Sequence, residues 1–212
     1  MNDHELAHPE LAGVEVLDDS GDLSRSEVIL KGALAAGAVY GLGMVAPFVR
    51  RALAAAGDGD VGILNFALTL EYLEADFYAE AKRRAGASGE LKILIGLLAA
   101  DEQQHVEALT ASIEKLGGKP VMKPKFDFPY GNTAGFLKLA QTFEDTGVSA
   151  YNGAGPMIES KEVLGAAGSI VQVEARHAAA IRLQNDAEPS PEAFDPALDE
   201  AQVLKAVEPF LA

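Results

Sequence analysis

The chain has 212 residues, 49% of them hydrophobic, no cysteine and a net charge of −15. That length suits one domain with appendages and is enough to bury a stable core. The absence of cysteine excludes disulfides, zinc-thiolate sites and a thiol nucleophile, so any metal must take oxygen and imidazole ligands. Much of the acid sits in the ends: residues 186–212 carry seven acids against one base. No basic patch with interleaved aromatics is present, which argues against nucleic acid as a partner.

Residues 1–25 read as an acidic flexible arm, in which His4 and His8 could bind metal. Residues 26–56 are different. From Gly32 to Val49 there is no charge, with Arg25 and Lys31 before the run and Arg50 and Arg51 after it. The run barely reaches the ~20 residues a spanning helix needs. Three readings stand: an export signal of the twin-arginine kind that lacks its paired arginine, a membrane tether through residues 32–49, or a helix packed on a partner or on the rest of the protein. The first two place the protein outside the cytoplasm or on a membrane, the third in the cytoplasm.

Residues 57–185 carry the expected bundle. Helix 1 is predicted from about Val61 to Arg84, with Phe66, Leu70, Leu73, Phe77 and Ala81 on one face at helical spacing. Helix 2 follows from about Glu90 to Leu116, its apolar stripe formed by Leu91, Ile95, Leu98, Leu109, Ile113 and Leu116, with Gly117 and Gly118 as the stop. Lys119 to Tyr130 holds three prolines and no helical period. It should run extended, as a crossover that lets helix 3 start from the same end as helix 2. Helix 3 is predicted from about Thr133 to Gly153, weakened by Gly147, and helix 4 from about Lys161 to Gln184, with Val163, Ala167, Ile170, Glu174 and Ile181 on one face. The fold class is therefore all-α: an antiparallel four-helix bundle with one long crossover between helices 2 and 3. Residues 186–212 form an acidic tail, which Phe194, Val203, Leu204, Val207 and Phe210 should dock in part.

Chemistry concentrates in a repeat. Glu102 and His105 are three apart on the apolar stripe of helix 2, so both point inward, where an acid and an imidazole are costly unless something pairs with them. Glu174 and His177 repeat the pattern on helix 4. Glu71 precedes Tyr78 by seven residues, as Glu144 precedes Tyr151. Each half thus supplies a lone inward Glu and then a Glu-x-x-His, the ligand set of di-iron and di-manganese carboxylate bundles. A single Glu-x-x-His is more often a surface pair; two copies in register with two Glu-to-Tyr spacings are not. Glu74 rivals Glu71, because it also falls on the apolar arc of helix 1 and could be a ligand, an acid behind a ligand or an ordinary ion-pair partner. Tyr78 and Tyr151 are either core aromatics or donors that fix the carboxylates.

In these motifs, Asn65 through Tyr78, Asp101 through His105, Phe143-Glu144 through Tyr151, and Glu174 through His177, the sequence resembles the ferritin-like superfamily and, within it, desiccation-related ferritin-like proteins. The resemblance covers about residues 58–212. It implies a ferritin-like bundle in which Glu71 and His105 hold one metal, Glu144 and His177 the other, and Glu102 and Glu174 bridge both. Oxygen-rich ligation with one imidazole per metal suits two iron or manganese ions. It further implies ferroxidase- or peroxidase-like redox chemistry on O2 or peroxide in oxidative or desiccation stress, with manganese catalase and a non-enzymatic stress protein as alternatives. Asp101 resembles the acid that orients a histidine ring. Its counterpart in the second half is Val173, so the two metals are expected to differ, with the half carrying Glu102 and His105 the better supported. Homo-oligomers are left open, while the long N-terminal segment and the tail argue against a closed storage shell.

Overall fold

The computed structural model describes residues 58–212, and every element in it is helical or extended chain. The arm at 1–25 and the apolar segment at 26–56 lie outside the described residues. Four long helices follow one another: α1 (Gly59–Arg84), α2 (Gly89–Lys115), α3 (Thr133–Ala154) and α4 (Lys161–Gln184). A short α5 (Glu200–Val207) closes the chain. Each bundle helix begins or ends within two residues of the position its pattern predicts.

Local chemistry explains the ends. Asn132 caps α3 by accepting from the Gly135 amide at 2.8 Å, and Asp199 and Gln202 form a reciprocal capping box on α5. Asp58 precedes α1 in an extended conformation but makes no side-chain cap bond. The nearby acid Asp60 is used elsewhere: its two oxygens accept from the amides of Glu159 and Ser160, both at 2.8 Å, and tie the start of α1 to the turn before α4.

The crossover runs beside α1 in the same direction. Asn65 donates to the Lys119 carbonyl and accepts from the Val121 amide, Lys123 pairs with Asp76, and Arg84 donates to the carbonyls of Phe128 and Tyr130. Thr133 then donates to the Ala85 carbonyl at 2.7 Å, so α3 starts where α1 has ended and α2 begins. This is the topology expected from the proline-rich stretch.

Two apolar clusters fill the bundle. One centres on Phe77, whose ring meets Phe128, Tyr130, Phe136 and Phe143 at centroid distances of 4.9 to 5.7 Å. The other joins Leu64, Leu68, Leu109, Ile113, Val163 and Ile170. On every bundle helix an acid lies between the residues of the two clusters: Glu71, Glu102, Glu144 and Glu174, none of them exposed to solvent. The tail adds Val203, Leu204, Val207 and Phe210 to the Phe77 cluster, with Phe210 edge-on to Phe143 at 4.8 Å.

Two side chains depart from their expected places. Phe194 is 90% exposed, because it lies in a bend at residues 192–194 on the surface, and from Pro196 onward the tail is again in contact with the bundle. Leu116 is 44% exposed, since α2 has ended one residue earlier and its side chain leaves the stripe. Gly147 does not interrupt α3, which is continuous through its middle.

Candidate metal centre

The six side chains expected at the site converge between the two apolar clusters. Glu71, Glu102, His105 and Glu174 offer ligand atoms that all lie within 4.8 Å of one another, and so do Glu102, Glu144, Glu174 and His177. Glu102 and Glu174 belong to both groups. Glu71 therefore stands inside a quartet, whereas its rival Glu74 is buried but outside both.

Each histidine turns Nδ1 toward the carboxylates. His105 Nδ1 lies 3.2 Å from Glu71 Oε2, 3.1 Å from Glu102 Oε2 and 2.9 Å from Glu174 Oε1. One ring proton cannot serve three acceptors; a cation shared by all four groups can. His177 Nδ1 lies 2.8 Å from Glu102 Oε1 and 3.6 Å from Glu144 Oε2.

The tyrosines work across the bundle. Tyr78 on α1 donates to Glu144 Oε1 on α3, and Tyr151 on α3 donates to Glu71 Oε1 on α1 at 2.6 Å. Each hydroxyl thus holds the lone carboxylate of the opposite half and leaves that carboxylate's second oxygen facing inward. Asp101 also acts across the bundle. Its Oδ2 stands 3.2 Å from Nε2 of His177, not of His105. Asp101 does stand against a histidine ring, but the ring belongs to the second half of the repeat, because Asp101 leaves α2 on the side facing α4.

Electrostatics follow from this crowding. Burial, then the charges of Glu174 and Glu102 respectively, push Glu71 and Glu144 well above the ordinary carboxylate range. Burial and Glu102 push Glu174 up as well. Burial opposes ionisation of Glu102 too, but hydrogen bonds from His105 and His177 outweigh it and hold this acid ionised, at about 2. Both imidazoles move up: burial disfavours their charge, and the surrounding carboxylates overcome it. Without metal the cluster thus holds protons where cations would sit.

The donor set fits a pair of divalent ions. Oε2 of Glu144 and Oε2 of Glu174 are buried without a hydrogen-bond partner. Native proteins seldom leave buried carboxylate oxygens unsatisfied. Glu144 belongs to the second quartet and Glu174 to both. Four carboxylates also match the charge of two divalent cations, and hard oxygen donors with one imidazole each suit iron or manganese over softer metals.

Comparison with known proteins agrees with this geometry. Residues 59–186 match the family described as the ferritin-like domain. The chain is 28% identical to desiccation-related protein PCC13-62 of Craterostigma plantagineum, in an alignment covering 58% of this chain and 52% of that protein. It thus spans about half the length of that curated relative. Among solved structures, a conserved hypothetical protein of Mycobacterium tuberculosis, rv2844, superposes with a TM-score of 0.55 at 15% identity, over 60% of this chain and 99% of that one. That likeness is one of fold. With four helices in ferritin-like order and a family match across the whole bundle, the chain belongs to the ferritin-like domain family.

Proposed function

We propose that the protein is a dimetal carboxylate oxidoreductase, holding two iron or manganese ions and acting on O2 or peroxide in oxidative or desiccation stress. The observation that carries this reading is the pair of overlapping quartets that share Glu102 and Glu174. Two adjacent redox-active ions would supply electrons to an oxygen substrate in pairs, which a single divalent ion does not do without releasing a radical. The chain's own residues do the rest. Glu102 and Glu174, which belong to both quartets, would serve both ions, while Glu71 with His105 and Glu144 with His177 would each hold one. Tyr78 and Tyr151 fix the terminal carboxylates, Asp101 fixes the His177 ring, and the apolar clusters on either side keep stray water and reductants away.

Metal analysis is the first test. Protein produced with both iron and manganese available should carry about two ions per chain, the number this ligand set holds. A content well below one ion per chain sinks the reading. Anaerobic loading with each metal then separates the chemistries. Rapid Fe(II) oxidation in air supports a ferroxidase, and O2 release from peroxide that tracks manganese content supports a catalase.

A second reading takes support from the name of the plant relative, which is called desiccation-related. In it the bundle is a helical stress protein whose metals are structural. Metal-loaded protein that turns over neither O2 nor peroxide, yet loses its fold on chelation, would favour it. Export or tethering through residues 32–49 belongs to the same proposal, and sequencing the mature N-terminus for cleavage near Ala54 tests it.

A further inference from the structure

Glu74 is a fifth buried acid that neither quartet uses. It is 3% exposed, and its Oε1 is buried without a hydrogen-bond partner. It lies one helical turn beyond Glu71, on the same face of α1. The opposing wall is Gly147 of α3. A Cβ added there would stand 3.2 Å from Glu74 Oε1 and 3.4 Å from Glu174 Oε2, another unpartnered oxygen. Glu74 and Glu174 therefore both face the bare backbone of α3 at Gly147.

The repeat explains why this space exists. Glu71 and Tyr78 of the first half recur 73 residues later as Glu144 and Tyr151. The same offset carries Glu74 onto Gly147. One half has a carboxylate at this position and the other has no side chain at all, and the missing side chain leaves the room in which the carboxylate sits. A glycine in the interior of a long helix costs about 1 kcal/mol relative to alanine, and here, unlike at Gly165 of α4, buried carboxylate oxygens stand against the space its missing side chain leaves. An ion pair does not explain it: among the described residues Glu74 forms none, and the charges that act on it most strongly are those of Glu174, Glu102, Glu144 and Glu71.

Resting on the metal-centre reading above, we infer that Glu74 is a seventh ligand-bearing side chain of the centre, swinging onto a bound cation beside Glu174 through the notch left by Gly147. The donor set then has five carboxylates and two imidazoles, and the two halves are unequal by construction. The first half adds a carboxylate from α1, and the second adds the Asp101 support of His177.

Anaerobic calorimetric titration of metal-free protein with manganese(II) tests this. The wild type should bind two ions of unequal affinity. Glu74→Gln should weaken one of them about tenfold or more and leave the other unchanged. Gly147→Ala, which fills the notch, should weaken the same ion, and the double variant should be no worse than the poorer single one, because both act through one contact. Thermal unfolding of the metal-free proteins controls for folding: Glu74→Gln should melt no lower than wild type, since it removes a buried acid from among four others. Wild-type affinities in Glu74→Gln overturn the inference, and so do losses that simply add in the double variant. If the wild type binds neither manganese(II) nor, in a parallel anaerobic titration, iron(II), the metal-centre reading fails first and this one falls with it.

Discussion

Glu102 shows what a single residue does here. Its two oxygens face different histidines, Oε2 toward His105 and Oε1 toward His177, so it touches both halves of the site at once. Glu102→Ala should abolish binding of at least one metal, as read by metal content after desalting. Glu107, exposed on the far face of α2, is the control, and Glu107→Ala should keep wild-type content. Equal losses would mean that the inward face has been misassigned. The tyrosines give a finer test. Tyr78→Phe leaves Glu144 without its donor and Tyr151→Phe does the same to Glu71. Each should lower metal affinity about 10- to 100-fold, in opposite halves of the centre, when measured by competition with a chelator. The ligand residues themselves were legible in sequence because period and chemistry coincide: Glu102, His105, Glu174 and His177 sit at helical offsets on stripes that are otherwise apolar. The partner of Asp101 was not legible. Spacing within a helix says which face a side chain leaves from, while the choice between His105 and His177 depends on which helix packs beside α2 at that height.

At the scale of elements, helix faces and the crossover were readable from periodicity and proline content, whereas the docking of the tail was only half readable. Val203, Leu204, Val207 and Phe210 announce themselves by spacing, but what seats the segment ahead of them is backbone. The Leu198 amide donates to the Ser149 carbonyl at 2.9 Å, and Asn152 donates to the Pro196 carbonyl. Gly153 permits this approach, since a Cβ there would fall 1.9 Å from the Leu198 carbonyl oxygen. A glycine that admits a passing chain leaves no hydrophobic period to find. Gly153→Ala should therefore force the tail off α3, with a net loss of about 1–3 kcal/mol in urea unfolding and faster proteolysis between residues 186 and 198. Gly165 on α4 is the matched control: nothing lies within 4 Å of its added Cβ. Gly165→Ala should gain up to about 1 kcal/mol, the helix-propensity difference alone.

Over the whole molecule, a layer of buried charge separates two apolar clusters, and the stability of the bundle depends on what neutralises that layer. In the metal-free protein it is protons. Glu71, Glu74, Glu144 and Glu174 have their pKa values raised by burial and by one another, so each keeps a proton in the folded state at pH values where the unfolded chain has lost it. His105 and His177 are raised by their carboxylate neighbours against the effect of burial, and stay charged when folded above 6.5, where an unfolded histidine is neutral. In both cases the folded state binds more protons than the unfolded state, so stability falls as pH rises. The histidine contribution is fully present below about 6.5 and is lost progressively above it. Glu102 acts in the opposite sense: held near 2, its contribution is present above 4.5 and fades as pH falls from there toward 2. Metal-free protein should thus melt highest in the mildly acidic range and lower at about pH 9 than at about pH 6. Divalent ions change the slope. They need deprotonated ligands, so their binding releases the stored protons and strengthens as pH rises. Protein saturated with manganese(II) should then lose the alkaline fall in melting temperature or reverse it, and calorimetry in buffers of different ionisation enthalpy should register proton release on binding. A melting profile that falls equally toward high pH with and without metal would mean that the ions do not occupy the layer where the protons sit.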